Sequence, residues 1–129
     1  VVVVNTIGHL RSLYALSTVS FVGGSLINFG GHNPLEPAAF AKPILFGPHT
    51  GDVAESCKRL LALDGAEVVH DASELFHAAL TLLKNPERAK AMGENAFKIL
   101  HENQGALEKT LIFIGRFVDG FGNIRRLST

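Results

Sequence analysis

The chain has one cysteine, one methionine, one tyrosine and no tryptophan among its 129 residues. A lone Cys57 excludes an internal disulfide and leaves no CxxC pair to share a metal, so its presence points to a reducing compartment. Net charge is also missing, since 12 basic side chains face 12 acidic ones. That balance excludes the basic stripe a broad nucleic-acid footprint needs, and Arg125 and Arg126 are too few to supply one. No apolar run approaches the roughly 18 residues of a membrane-spanning helix. The opening four valines lack the basic flank and length of a signal peptide. What is there is a chain with 47% hydrophobic and 19% charged residues, the balance of a globular domain and long enough for one core. It opens on a strand-like run without an initiator methionine and therefore reads as a piece of something longer.

Strand and helix patterns alternate through the first half. Residues 1–4 form an all-apolar run, the pattern of a strand buried on both faces of a parallel sheet. Thr6 is placed to cap a helix over 8–16, with Leu10, Leu13, Tyr14 and Leu16 on its apolar face. Residues 19–22 and 44–46 read as further strands. Between them Asn33-Pro34 starts a short helix that must end before Pro43, because the residue preceding a proline is pushed out of the α region. Residues 53–63 read as a helix burying Cys57, Leu60 and Leu61 and closed by Asp64-Gly65, and 67–69 as a fourth strand. Three helical segments follow. One is capped by Asp71 or Ser73 and runs to Lys84, with Leu75, Phe76, Ala79, Leu80 and Leu83 at helical spacing. The next starts at Asn85-Pro86 and buries Ala89, Met92, Ala96, Ile99 and Leu100. The last carries Leu107, Leu111, Ile114, Val118 and Phe121. The order implies an α/β fold, a doubly wound Rossmann-like parallel sheet of about four strands.

In such sheets ligands bind outside the carboxyl ends of the strands. The loops leaving in that direction span 5–9, 23–33 and 47–52. In the second, Gly30-Gly31 lets the backbone approach a ligand, and the helix starting at Asn33 offers free N–H groups to an anion such as phosphate. The composition is neither a G-x-G-x-x-G fingerprint nor a P-loop, and Ile27 stands where a nucleophile elbow after Ser25 needs glycine. Glu36, three residues after Asn33, has two readings. Its carboxylate suits the adjacent hydroxyls of a ribose; equally, Asn-x-x-Glu approximates a capping box in which Glu36 only satisfies the Asn33 backbone.

The stretches "FVGGSL", "GGHNPLEPAAFAKPILFGPHT" and "ENQGALEKTL" together resemble the 3-deoxy-D-manno-octulosonic acid (Kdo) transferases over nearly the whole chain. The family's N-x-L-E segment falls on Asn33, Pro34, Leu35 and Glu36, and its other CMP-contacting loop on Ile7, Gly8 and His9. The resemblance therefore implies that residues 1–129 are the carboxyl-terminal, donor-binding half of a GT-B glycosyltransferase. Gly30, Gly31 and His49 are then further donor contacts. The implied reaction transfers Kdo from CMP-Kdo to a lipid A precursor at the cytoplasmic side of the bacterial inner membrane. It needs no cofactor, and its base is a carboxylate of an amino-terminal acceptor domain absent here. Peripheral membrane association would run through that domain. Two departures stand out. Where the family usually reads Asp-Thr-hydrophobic-Gly-Glu-Leu, this chain has Asn5-Thr6-Ile7-Gly8-His9-Leu10, and Asp52-Val53 replaces a usual Asn-Phe.

Other candidates read as structural. His32 and His49 lack the spacing of metal ligands. His70, His77 and His101 suit surface or helix-end positions, and Lys84, Arg88, Lys90 and Lys98 suit a solvated face with Glu87 and Glu94 as partners. Two alternatives to a transferase domain stay open on the residues alone: a nucleotide-binding module without catalysis, and a phosphosugar enzyme of GT-B plan such as an epimerase.

Overall fold

The computed structural model describes residues 1–102. The last helical pattern, with Phe113, Phe117 and Phe121, lies outside the described residues. In chain order the elements are α1 (Leu10–Leu16), β1 (Ser20–Val22), α2 (Leu35–Ala38), β2 (Ile44–Phe46), a 3-10 turn (Gly51–Val53), α3 (Ala54–Ala62), β3 (Ala66–Val68) and α4 (Ala72–Lys84). A further helix, α5, covers residues 86–102.

The strands pair in the order β1-β2-β3, all parallel. Ser20 stands opposite Ile44 and Val22 opposite Phe46, while Ile44 stands opposite Ala66 and Phe46 opposite Val68. Alternation along each strand divides the core into two layers. Val22, Ile44, Phe46 and Ala66 face one side and pack with Ala38, Cys57, Leu60, Ala96 and Ile99, so α2, α3 and the end of α5 cover that face. Leu45 and Val69 face the other side with Ala78, Leu82, Ala89 and Met92, contributed by α4 and the start of α5. Helices on both faces bury the central strand completely. Ile44 and Leu45 are 0% exposed, and each contributes about 1.5–3 kcal/mol by its burial. The doubly wound reading therefore holds.

Residues 1–4 are the main correction to it. They join no strand and are exposed, Val1 to Val3 almost fully. An apolar run favours burial, but a strand exists only where a neighbour accepts its hydrogen bonds, and among the described residues β1 pairs with β2 alone. The described residues form a sheet of three strands, not four. The second correction concerns α1. His9, not Thr6, stands at its N-cap position, and none of its residues is buried. Leu10, Leu13 and Leu16 share a helical face, as their spacing requires, yet α1 packs mainly against α2 and all three leucines remain exposed. Helical period groups side chains without saying what covers them.

The later helices agree more closely. α3 buries Cys57 and Leu60 while Leu61 stays exposed. Asp64 takes the left-handed conformation after α3 (φ 53°), and the Gly65 N–H donates to the Leu60 carbonyl at 2.8 Å. α4 starts at the Asp71 cap, whose carboxylate accepts the Glu74 N–H at 2.8 Å. Its buried residues are Ala78 and Leu82; Phe76 and Leu83 point to solvent. α5 buries Ala89, Met92, Ala96 and Ile99, with Leu100 half-buried.

Candidate functional site

The carboxyl ends of β1 and β2 release two glycine-rich loops that are bonded to each other. Ser25, 1% exposed, donates its hydroxyl to the Val22 carbonyl at 2.6 Å and accepts the Gly47 N–H at 2.8 Å. The His49 N–H donates to the Ser25 carbonyl at 2.9 Å. The serine hydroxyl is fully committed to joining the strand ends and is not a nucleophile. Gly47 is obligatory at this junction, because a Cβ there would stand 2.2 Å from the Ser25 carbonyl oxygen. The second close approach lies where the loop after β2 meets the first loop. A Cβ on Gly51, already at φ 48°, would stand 2.8 Å from the Gly30 oxygen.

Three main-chain donors of the first loop, those of Phe29, Gly31 and His32, are spent within it. The Gly31 N–H bonds to the Gly24 carbonyl at 2.9 Å and the His32 N–H to the Gly23 carbonyl at 3.1 Å. The helix that follows is one turn long, and the Asn33 side-chain oxygen accepts the Leu35 N–H at 3.0 Å. Of the amides lining the cavities, those of Gly31, His32 and Leu35 are therefore spent within the chain.

Two cavities open beside this loop. The first, about 550 Å³, is lined by Leu10, Tyr14, Phe21, Gly23, Gly31, His32, Asn33 and Glu36. The second, about 410 Å³, is lined by Arg11, Asn33, Leu35, Glu36, Ala39 and Phe40. Asn33 and Glu36 belong to both, so the start of α2 forms the wall between them. Among the described residues the Glu36 carboxylate accepts no hydrogen bond. The capping-box half assigned to Glu36 is thus not made, and the carboxylate is free for a ligand. Its charge is felt across the first cavity: burial, and then Glu36, push the Tyr14 phenol above its ordinary value of 10.0.

The residues singled out in the sequence divide by location. Gly31, Asn33, Leu35 and Glu36 meet at the two cavities. Pro34 is buried beneath them. Gly30 and His49 lie on the adjoining loops without lining either cavity. Ile7, Gly8 and His9 line neither cavity; Ile7 is fully exposed and the His9 carbonyl accepts the Leu13 N–H at 3.1 Å. From α1 the structure brings in Leu10, Arg11 and Tyr14 instead, within the five residues that follow His9. Arg11 was not singled out in the sequence, and neither was Phe40, over whose ring its guanidinium lies at 6.0 Å from the centroid.

A parallel sheet wound on both faces, with linked glycine loops and cavities at the strand ends, defines a Rossmann-like α/β domain of the ligand-binding kind. No family model matches the chain. Individual proteins do. The chain is 37% identical over 120 residues to a 3-deoxy-D-manno-octulosonic acid transferase of Haemophilus influenzae, which covers 92% of this chain and 28% of that protein. It is 33% identical over 118 residues to the transferase of the same description in Chlamydophila psittaci, covering 91% of this chain and 27% of that one. The crystal structure of the C-terminal CMP-Kdo binding domain of WaaA from Acinetobacter baumannii superposes with a TM-score of 0.71 at 33% identity, over 75% of this chain and 51% of that one. The resemblance to the Kdo transferases is therefore borne out, in sequence and in fold: the chain is their homologue. It spans about a quarter of the length of the transferases it matches.

Proposed function

We propose that residues 1–129 form the donor-binding half of an inverting glycosyltransferase that carries Kdo from CMP-Kdo to a lipid A precursor. Similarity to the transferases, and to a domain described as binding CMP-Kdo, supports this over a non-catalytic module or an epimerase. The observation that carries the site is Glu36, a carboxylate with no internal hydrogen bond at the wall between two cavities. It is suited to accept from the two hydroxyls of the CMP ribose, with Asn33 beside it and Gly31 allowing close approach of the backbone. Pro34 and Leu35 fix the turn that presents both side chains.

In this reading the chain holds the leaving group. A carboxylate base from the acceptor half deprotonates an acceptor hydroxyl, which attacks the anomeric carbon of Kdo as the bond to the CMP phosphate breaks. The task of the donor half is to fix the ribose and balance the charge that gathers on the departing phosphate. Because the acceptor is a lipid, the whole protein would work at the cytoplasmic face of the inner membrane. Among the described residues no helix is long and apolar enough to cross a membrane.

The test is calorimetry with CMP on the intact protein and its Glu36→Gln variant. The substitution preserves shape, removes the charge and halves the acceptor capacity, so affinity should fall by about 1–3 kcal/mol. Thermal stability should stay unchanged, since Glu36 makes no internal hydrogen bond that the variant would lose. Equal CMP affinity in the two proteins would take the ribose away from Glu36.

A further inference from the structure

The second cavity holds a guanidinium and a carboxylate that are not spent on each other. Arg11 and Glu36 both line it, yet they form no ion pair, and neither does Arg11 with any other described residue. The Arg11 guanidinium is instead held over the Phe40 ring, 6.0 Å from its centroid, and both residues line the cavity. Among the described residues it is the one lysine or arginine side chain lining either cavity. We propose that Arg11, seated on Phe40, is the residue that binds the oxyanion of the donor nucleotide in the cavity it shares with Glu36.

The inference rests on the donor-binding reading above and sharpens it. CMP-Kdo is a diol joined to oxyanions: a phosphodiester and the carboxylate of the octulosonic acid. The diol needs an acceptor, which Glu36 supplies. The oxyanions need donors, and several neighbouring amides are taken. Gly31 and His32 donate within their own loop, Gly47 donates to Ser25 and Leu35 to Asn33. An anion placed beside Glu36 without a cation would meet net repulsion. Arg11 removes that conflict, offering planar donors suited to phosphate or carboxylate from a head kept in place by the aromatic face beneath it. Ligand and cavity then match in charge order: carboxylate to diol, guanidinium to oxyanion.

The test uses isothermal titration of the intact protein, Arg11→Gln, Arg11→Lys and Glu36→Gln with cytidine, CMP and CMP-Kdo. Arg11 is exposed, so all variants should unfold at the wild-type temperature. Arg11→Gln should weaken CMP roughly tenfold, the size of one charge-assisted hydrogen bond after partial solvent screening, and leave cytidine within about twofold. Arg11→Lys should fall between. A loss seen with CMP assigns the phosphate to Arg11, and a loss seen only with CMP-Kdo assigns the carboxylate. Equal losses for cytidine and CMP would mean that Arg11 reads the base, and no loss for any ligand would remove it from the site; either result overturns the proposal. If CMP binding drops in Glu36→Gln but not in Arg11→Gln, the donor site stands and this assignment alone fails. A wild-type protein that binds no CMP overturns both.

Discussion

Removing one oxygen, in Ser25→Ala, tests whether the two loops are held by the buried hydroxyl. The serine is 1% exposed and bonds the Val22 carbonyl at 2.6 Å and the Gly47 N–H at 2.8 Å. Each bond contributes about 1 kcal/mol net, and alanine removes both. The larger penalty falls on Gly47, which is buried and has only one donor. Left without a partner, that N–H adds a desolvation cost of about 1–3 kcal/mol. The space freed by a hydroxyl oxygen is too small to admit a compensating water. The sum is a loss of about 3–5 kcal/mol, a large share of the roughly 5–15 kcal/mol that holds an ordinary domain together. Urea denaturation followed by circular dichroism measures it: the midpoint should fall while the slope stays unchanged, since the surface exposed on unfolding is the same. A midpoint within error of wild type would refute the reasoning and show that the loops are held in place by packing alone.

Two further outcomes follow from electrostatics elsewhere in the fold. The Glu74 carboxylate accepts the His70 backbone N–H and its ring Nδ1, both at 2.8 Å, and these bonds hold its pKa below the ordinary 4.5. A carboxylate whose pKa is depressed on folding stabilises the fold above its unfolded value and loses that contribution as pH falls through the folded one. Glu74→Gln should therefore flatten the acid limb of the stability profile below about pH 4.5, and superimposable limbs in thermal melts across that range would reject the pairing. Cys57 is 4% exposed, and burial raises its thiol to about 11, so thiol reagents should modify it at neutral pH only at the rate of unfolding. Fast labelling in the native state, followed by absorbance, would contradict its burial on the core-facing side of α3.

How far the fold was legible in the sequence depended on whether a feature was local. β2 was readable because Ile44, Leu45 and Phe46 are apolar in sequence and all buried, the mark of a strand covered on both faces. Residues 1–4 carry the same mark and form no strand, because pairing is a long-range property that a run of valines does not encode. α4 was located correctly, but its buried side was not. Leu75, Phe76, Ala78, Ala79, Leu80, Leu82 and Leu83 are all apolar, so the stripe is too wide to choose a centre, and packing against β2 selected Ala78 and Leu82. The divided core, by contrast, follows from strand alternation with apolar helix residues on both faces of the sheet.

The candidate site separates along the same line. Asn33 to Glu36 stood out because a helix start after a glycine-rich loop is a local pattern, and the cavities meet there. Arg11, Tyr14 and Phe40 were invisible as site residues, since only the packing of α1 against α2 brings them to the same wall. The glycines misled in the opposite direction. Their density suggested a cradle of amides for phosphate, but Gly31 donates back into its own loop, and Gly47 and Gly51 allow two backbones to touch. An amide spent on the loop's own shape, as that of Gly31 is, offers a ligand no donor. Recognition of an anion, as proposed, falls to a side chain, that of Arg11, the one guanidinium at these cavities among the described residues.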